Sequence, residues 1–239
     1  MQAEDKELEQ QRKRMTYQLA LAGSDGIVLA SDQCERVISS NNQFAAKNMV
    51  RKIIIDQTAQ YAWACSGSEA ALIFARNVKD AIGALGSDFS EEDALNALEK
   101  ASRLVVPEYQ PLSHGPWPCK VLFVCGRSKR IFSHPMTRAD ERIGKCISGM
   151  EFNLASFLPM RLTLANMAVK VLVYLAAYSI RAAHDFDSAF VDGLDITVYR
   201  DSTGKFEFLN SDTLWGEAQN FDSEIIKLLQ IKAETVNHG

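Results

Sequence analysis

Three polar residues flank or interrupt apolar segments in the first quarter of this 239-residue chain. Thr16 precedes the first apolar run, Asp32 follows the second, and Lys52 lies within the third. A cation in an otherwise apolar strand needs a partner of opposite charge. When the first two runs fold back on each other, Asp32 returns close to Thr16 and is the obvious partner for Lys52. The spacing therefore predicts a hydroxyl beside a paired carboxylate and ammonium.

Each of these residues, taken singly, also has an ordinary structural interpretation. An aspartate after a strand is usually a turn residue. A lysine in a strand usually lies at an edge or extends its ammonium to solvent. Only the combination of Thr16, Asp32 and Lys52 indicates a site.

The segments that must position these residues are predicted to be short antiparallel strands and amphipathic helices. Pairs of apolar runs joined by short polar turns predict antiparallel strand pairs: 17–31, 50–65, 119–133 and 194–209. Apolar residues at helical spacing predict helices: 66–82, 90–104, 152–157, 160–183 and 212–231. Two polar segments predict loops: 33–42 and 107–118.

Several of these strands are apolar on both faces, so each face needs a covering layer. The fold class expected is α+β: a four-layer αββα sandwich of two antiparallel sheets flanked by helices. Residues 16–239 form one domain, because no repeat or linker divides them. Residues 1–15 are rich in charge and are expected to be a leader, a propeptide or a mobile tail.

Composition excludes several classes of protein. A hydrophobic fraction of 47% with 23% charged residues is typical of a globular protein, and a net charge of −4 disfavours nucleic acid as a partner. The longest apolar stretch, 164–180, contains Lys170 and is too short to span a membrane. Five cysteines without a CxxC pair predict reduced thiols in a cytoplasmic protein without a metal or other cofactor.

Three motifs resemble those of proteasome β-type subunits. Residues 16–32, TYQLALAGSDGIVLASD, resemble the opening of such a subunit. Residues 50–56, VRKIIID, resemble its lysine strand, and residues 65–70, CSGSEA, resemble the turn before its first helix. Across 16 to about 209, the chain looks most like a bacterial proteasome-like peptidase of the N-terminal nucleophile hydrolase family, which has the αββα fold.

The resemblance implies a role for each of the three residues. The Thr16 hydroxyl would be the nucleophile, and the α-amino group of the same residue, once freed, would be the general base. An α-amine has a reference pKa of about 7.7–8.0, which suits proton transfer at neutral pH. Lys52 would favour the deprotonated hydroxyl and keep the amine unprotonated, and Asp32 would orient Lys52 and balance its charge.

The resemblance also implies three supporting residues. The backbone N–H of Gly67 would donate to the oxyanion of the tetrahedral intermediate. Ser148 matches the supporting serine of the family, and Asp187 is the nearest match for its supporting acidic residue.

By this resemblance, the protein would be a threonine-type endopeptidase that hydrolyses unfolded polypeptide without a cofactor. Identical subunits would form a closed ring, an ATP-dependent unfoldase would be a further partner, and neither nucleic acid nor membrane would take part. Two alternatives remain at this stage. One is a catalytically silent ring or scaffold subunit, and the other is an N-terminal nucleophile amidase acting on a small molecule.

The sequence departs from the family pattern at two points. A few extra residues separate Asp32 from Lys52, so the loop beside the substrate pocket is expected to differ. Met15 stands before Thr16, where the family's self-processing junction has glycine. Translation from Met15, followed by ordinary methionine removal, would be a second way to expose the threonine.

Overall fold

The structure is a computed structural model. It describes these residues: 16–38, 44–67, 69–109, 119–134, 139–149, 154–162, 164–221, 223, 224 and 227. The predicted leader 1–15, most of the predicted loop 107–118 and the end of the last predicted helix lie outside the described residues.

The described chain alternates strand pairs with helices. Its strands are β1 Tyr17–Ala22, β2 Gly26–Ser31, β3 Cys34–Ile38, β4 Phe44–Met49, β5 Ile53–Ile55, β6 Tyr61–Gly67, β7 Cys119–Cys125, β8 Arg130–His134, β9 Asp140–Arg142, β10 Lys145–Gly149, β11 Asp195–Arg200 and β12 Lys205–Phe208. Its helices are α1 Glu69–Gly83, α2 Glu91–Tyr109, α3 Leu154–Arg161, α4 Val169–Phe186 and α5 Ser211–Ala218.

The strands form two antiparallel sheets and a separate hairpin. The first sheet has the order β10-β1-β2-β11-β12 and the second has the order β5-β6-β7-β8-β9, and among the strands described β3 pairs only with β4. The outer face of the first sheet packs against α4, and the outer face of the second packs against α1 and α2. A third apolar cluster lies between the sheets. The predicted αββα sandwich is therefore confirmed.

The alternation of side chains along β1 shows how both faces of one strand are buried. Tyr17, Leu19 and Leu21 belong to the cluster under α4, whereas Ala20 and Ala22 face the second sheet. Large side chains fill the space below the helix, and small ones let the two sheets approach closely. The inner face becomes polar towards the Thr16 end of the strand.

Two expectations for the site region were wrong in detail. The predicted loop 33–42 begins with strand β3, which pairs with β4 in a hairpin. Lys52 does not lie in a strand but directly precedes β5, because its backbone N–H donates to the Asp195 carboxylate rather than to a neighbouring strand. Ser148 and Gly149 lie at the end of β10, which pairs with β1.

The long predicted helix 160–183 begins later than expected. Residues 154–161 form the separate helix α3, and α4 starts at Val169. The Asp25 carboxylate, in the turn between β1 and β2, accepts the Val169 N–H at 2.6 Å. This contact from a distant turn satisfies one backbone donor at the start of α4. None of the helices in the described part of the chain is long and apolar enough to cross a membrane.

His134 is an unusual core residue at the end of β8. Its side chain is fully buried, and its ring packs edge-on against Phe74 with 5.7 Å between ring centroids. Neither ring nitrogen has a hydrogen-bond partner among the residues described. Burial lowers the pKa of His134, and the nearby Glu99 carboxylate opposes this shift. The folded protein therefore holds this imidazole in its neutral form.

We expect His134 to make the stability of the fold depend on pH. The unfolded chain binds a proton at this histidine near pH 6.5, whereas the folded chain does so only at lower pH. The free energy of unfolding should thus fall as the pH drops below about 6.5, by up to about 1.4 kcal/mol per pH unit. Urea denaturation at pH 7.5, 6.5 and 5.5 measures this slope, and His134→Leu should reduce it. Parallel pH profiles for the two proteins would contradict this expectation.

Candidate active site

Four polar side chains from distant parts of the sequence meet at one end of the first sheet. Thr16 precedes β1, Asp32 follows β2, Ser148 lies near the end of β10, and Asp195 begins β11. Because adjacent strands in this sheet are antiparallel, the starts of β1 and β11 and the ends of β2 and β10 lie at the same end of the sheet.

Lys52 reaches this end of the first sheet from the segment before β5. Its Nζ lies 2.8 Å from Asp32 Oδ2 and 3.2 Å from Thr16 Oγ1. The Lys52 side chain is 8% exposed, and the Asp32 side chain is not exposed at all. The 2.8 Å separation is typical of a charge-assisted hydrogen bond. The structure thus brings together the three residues that the sequence singled out.

The Asp32 carboxylate is held in one orientation by the backbone. Oδ1 accepts the Tyr17 N–H at 2.8 Å, and Oδ2 accepts the Cys34 N–H at 2.9 Å. Burial raises the pKa of Asp32, and the Lys52 ammonium and these two backbone donors oppose that shift. The carboxylate is fixed on both sides and in turn fixes the ammonium.

Thr16 presents its hydroxyl oxygen to a cation in a largely desolvated place. The residue is 8% exposed, and its Oγ1 accepts a hydrogen bond from the Lys52 ammonium. A cation at this distance stabilises negative charge that develops on the oxygen during nucleophilic attack. In the full chain the nitrogen of Thr16 is an amide of the bond to Met15, which cannot serve as a base.

Polar side chains of β1 and β10 in the first sheet contact the end of β6. Ser148 is fully buried, and its Oγ lies 3.2 Å from the Oγ of Ser66. Gln18, opposite Ser148 in the β1–β10 pair, donates from Nε2 to the Cys65 carbonyl oxygen at 2.7 Å. Gly67 follows Ser66 at the end of β6, with a φ of 129° and an exposed position.

Asp187 has no described link to the Thr16–Asp32–Lys52 group. It lies at the C-terminal end of α4, where its backbone N–H donates to the Ala183 carbonyl oxygen. No described contact joins its carboxylate to Thr16, Lys52 or Ser148. Asp195, an acidic residue in an apolar strand, carries the same signal that singled out Lys52, but it was not among the residues predicted for the site.

Gly149 allows Thr16 to occupy its position. Its φ is 91°, and a Cβ added there would lie 1.5 Å from the Thr16 carbonyl oxygen. An alanine at 149 must therefore displace Thr16 or the end of β10. Gly144, in the turn before β10, also has a positive φ, of 70°, but no heavy atom lies within 4 Å of its added Cβ.

These two glycines provide a matched pair of variants. On the expectation from the resemblance that Thr16 is the nucleophile of a peptidase, Gly149→Ala should lower peptide hydrolysis by about 10²-fold or more, because a misplacement of about 1 Å at a nucleophile has that effect. Gly144→Ala introduces comparable backbone strain of about 1 kcal/mol and should leave activity nearly unchanged. Initial rates on one peptide substrate compare the two, and equal losses would show that contact with Thr16 is not the cause.

The cysteines near the site have the environment of packing residues. Cys34 is 5% exposed and Cys65 is 7% exposed. Burial raises the pKa of the Cys34 thiol, and the neighbouring Asp32 carboxylate raises it further. A thiol held in its neutral form is a poor nucleophile. The described residues also contain no cluster of histidine, cysteine and acidic side chains that could hold a metal ion.

Comparison with known proteins gives matches among solved structures alone. No protein-family model matches the chain, and no curated protein matches it. A mutant of Anbu from Hyphomicrobium sp. strain MC1 is similar with a TM-score of 0.70 and 15% identity, over 92% of this chain and 99% of that chain. Anbu from Yersinia bercovieri, an ancestral beta-subunit, has a TM-score of 0.70 and 14% identity, over 90% and 96% of the two chains.

A third similar structure is the helical assembly of the Anbu complex from Pseudomonas aeruginosa. Its TM-score is 0.67 at 13% identity, over 90% of this chain and 95% of that chain. At these identities the likeness concerns the arrangement of the backbone. The chain has the N-terminal nucleophile hydrolase fold that it shares with Anbu.

Proposed function

We propose that the protein is a threonine-type endopeptidase of the proteasome-like class, with Thr16 as its nucleophile once residues 1–15 are removed. The observation that carries this proposal is the Lys52 ammonium, which lies 3.2 Å from Thr16 Oγ1 and 2.8 Å from the buried Asp32 carboxylate. The shared fold and the motifs around these residues support the same reaction.

The reaction begins with attack of Thr16 Oγ1 on the carbonyl carbon of a peptide bond. The freed α-amine of Thr16 takes the hydroxyl proton, and the Lys52 ammonium stabilises the charge that develops on Oγ1. The N–H of Gly67 donates to the oxyanion, and Ser148 supports this arrangement. The protonated amine gives its proton to the leaving peptide amine. Water, activated by the same α-amine, then hydrolyses the ester to regenerate Thr16.

Assembly of identical subunits belongs to the same proposal. The Anbu complex from Pseudomonas aeruginosa forms a helical assembly, so its subunit fold is compatible with self-association. The resemblance to proteasome-like subunits implies a closed ring for this chain, and a measurement of native mass and shape distinguishes a ring from a helix. The substrate proposed is unfolded polypeptide in the cytoplasm, delivered by an ATP-dependent unfoldase.

A catalytically silent subunit is the second candidate, and one observation favours it. Met15 stands where self-processing members of the family have glycine. A chain that keeps residues 1–15 has no α-amine at Thr16 and so lacks the proposed base.

The two candidates differ in the chemical state of Thr16. Intact mass of the native protein should show a chain that begins at Thr16, and this form should digest unfolded fluorescent casein. A chain translated from Met15 provides the same terminus after methionine removal. Full-length chain as the only native form, together with no activity in the chain that begins at Thr16, would support the silent subunit.

A further inference from the structure

Asp195 has a buried carboxylate that does not belong to the Thr16–Asp32–Lys52 group. This carboxylate contacts the backbone at Lys52. It begins β11, pairs with Ser31 of β2, and is 1% exposed. Its Oδ2 accepts the N–H groups of Lys52 and Ile53, each at 2.9 Å. One oxygen from the first sheet therefore accepts from two consecutive amides, that of Lys52 before β5 and that of Ile53 at the start of β5.

Apart from the Val50 N–H, which donates to the Gln33 carbonyl oxygen at 2.8 Å, the backbone at Lys52 has little other described support. Strand β5 contains three residues and lies at the edge of the second sheet, where β6 is its one partner among the described strands. Its ladder begins at Ile53, which pairs with Ala64, so Lys52 lies outside the ladder. The contact with Asp195 is thus the described hydrogen bond that fixes the Lys52 backbone N–H relative to the first sheet.

We propose that Asp195 is a positioning residue: its carboxylate fixes the backbone at Lys52 so that the ammonium reaches both Thr16 Oγ1 and Asp32. The side chain of lysine is a flexible four-carbon stem, so its ammonium is placed accurately only when its backbone is fixed. Thr16, Asp32 and Asp195 all belong to the same end of the first sheet. The contact between the Asp195 carboxylate and the Lys52 amide consequently fixes the position of Lys52 relative to Thr16 and Asp32.

Arg51 completes this arrangement on the solvent side. Its Nε lies 3.7 Å from Asp195 Oδ1, and its guanidinium stacks over the Phe208 ring at 4.0 Å from the centroid. Burial raises the pKa of Asp195, whereas the Ile53 and Lys52 amides and the Arg51 guanidinium oppose this shift. The two oxygens of Asp195 therefore have separate tasks, with Oδ2 on the amides and Oδ1 towards Arg51.

The test measures the accessibility of the Lys52 ammonium in the full chain. Acetylation with an N-hydroxysuccinimide ester, followed by peptide mass spectrometry, gives the rate at Lys52 relative to Lys129. Asp195→Leu removes both acceptor oxygens and should raise this relative rate about tenfold or more, because the segment opens more often. Asp195→Asn keeps one amide oxygen as an acceptor and should stay within about threefold of the wild type.

Asp56 provides the matched control at the other end of β5. It is also a buried carboxylate, and it accepts backbone N–H groups from Thr58, Gln60 and Tyr61. Asp56→Leu should lower the melting temperature without changing the relative rate at Lys52. An unchanged rate in Asp195→Leu, or an equal rise in Asp56→Leu at a comparable loss of melting temperature, would overturn the proposal. If Asp195→Leu does not fold, Asp195→Ser replaces it, because its hydroxyl is too short to bridge both amides.

The catalytic consequence rests on the function proposed above, whereas the placement of Lys52 does not. In the active form of the chain, Asp195→Leu should lower kcat about tenfold or more with KM within about threefold, and Asp195→Asn should restore most of kcat. A change in KM alone would contradict a positioning role. An inactive wild type would count against the proposed peptidase, and the acetylation rates would still decide the role of Asp195.

Discussion

Thr16→Ala is expected to abolish hydrolysis of peptide amides in a chain that begins at residue 16, with a loss of at least about 10³-fold. The substitution removes the hydroxyl whose oxygen accepts a hydrogen bond from the Lys52 ammonium, and it leaves the rest of the site in place. Thr16→Ser keeps both the hydroxyl and the α-amine, so it should retain part of the activity. Initial rates on a peptide amide with a fluorescent leaving group measure both variants.

The unsubstituted chain that keeps residues 1–15 provides a comparison for Thr16→Ala. Residues 1–15 convert the nitrogen of Thr16 into an amide, which takes up no proton near neutral pH. The full-length chain and Thr16→Ala should therefore both be inactive, for different reasons. Activity that persists in Thr16→Ala, or equal activity in chains with and without residues 1–15, would remove the support for a threonine nucleophile.

Loss of the Lys52 ammonium is expected to have the second largest effect. Lys52→Ala should lower activity by about 10²-fold or more, as does the loss of other preorganised electrostatic groups. It should also destabilise the fold by about 3–5 kcal/mol, because Asp32 becomes an unpaired buried charge. The double variant Lys52→Met with Asp32→Asn removes both charges, so it should regain stability without regaining activity. Urea denaturation and initial rates separate these two consequences.

Lys129→Ala is the control for removal of a lysine. The Lys129 ammonium lies 2.7 Å from the Asp201 carboxylate in a partly exposed pair and also donates to the Ser24 carbonyl oxygen, past the far end of β1 from Thr16. A pair of this kind contributes at most about 1 kcal/mol. Lys129→Ala should thus leave activity unchanged, and an equal loss in Lys129→Ala and Lys52→Ala would contradict a local role for Lys52.

Local patterns in the sequence were sufficient to predict the main contacts of the candidate site. The turn between β1 and β2 is short and polar, so the hairpin that returns Asp32 to Thr16 could be predicted from its own residues. The pairing of Lys52 with Asp32 followed from the energetic cost of an isolated buried charge. Both predictions needed only neighbouring strands and opposite charges.

Contacts between distant segments could not be predicted in the same way. Asp195 and the Lys52 N–H are separated by 143 positions, and their contact depends on how the two sheets are stacked. The strand β10 is short and polar at its end, so its pairing with β1 has no local signal. The close approach of Gly149 to Thr16 follows from that same pairing.

Direct identification of the reactive atom tests the account most directly. A peptide β-lactone opens when an activated hydroxyl attacks it, and the whole reagent remains on that oxygen as an ester. With a chain that begins at Thr16, intact mass should show one reagent per chain, and peptide mapping should place it on Thr16. Thr16→Ala should remain unmodified. An adduct on Cys34 or another residue, with Thr16 unmodified in a preparation that cleaves peptides, would contradict Thr16 as the nucleophile.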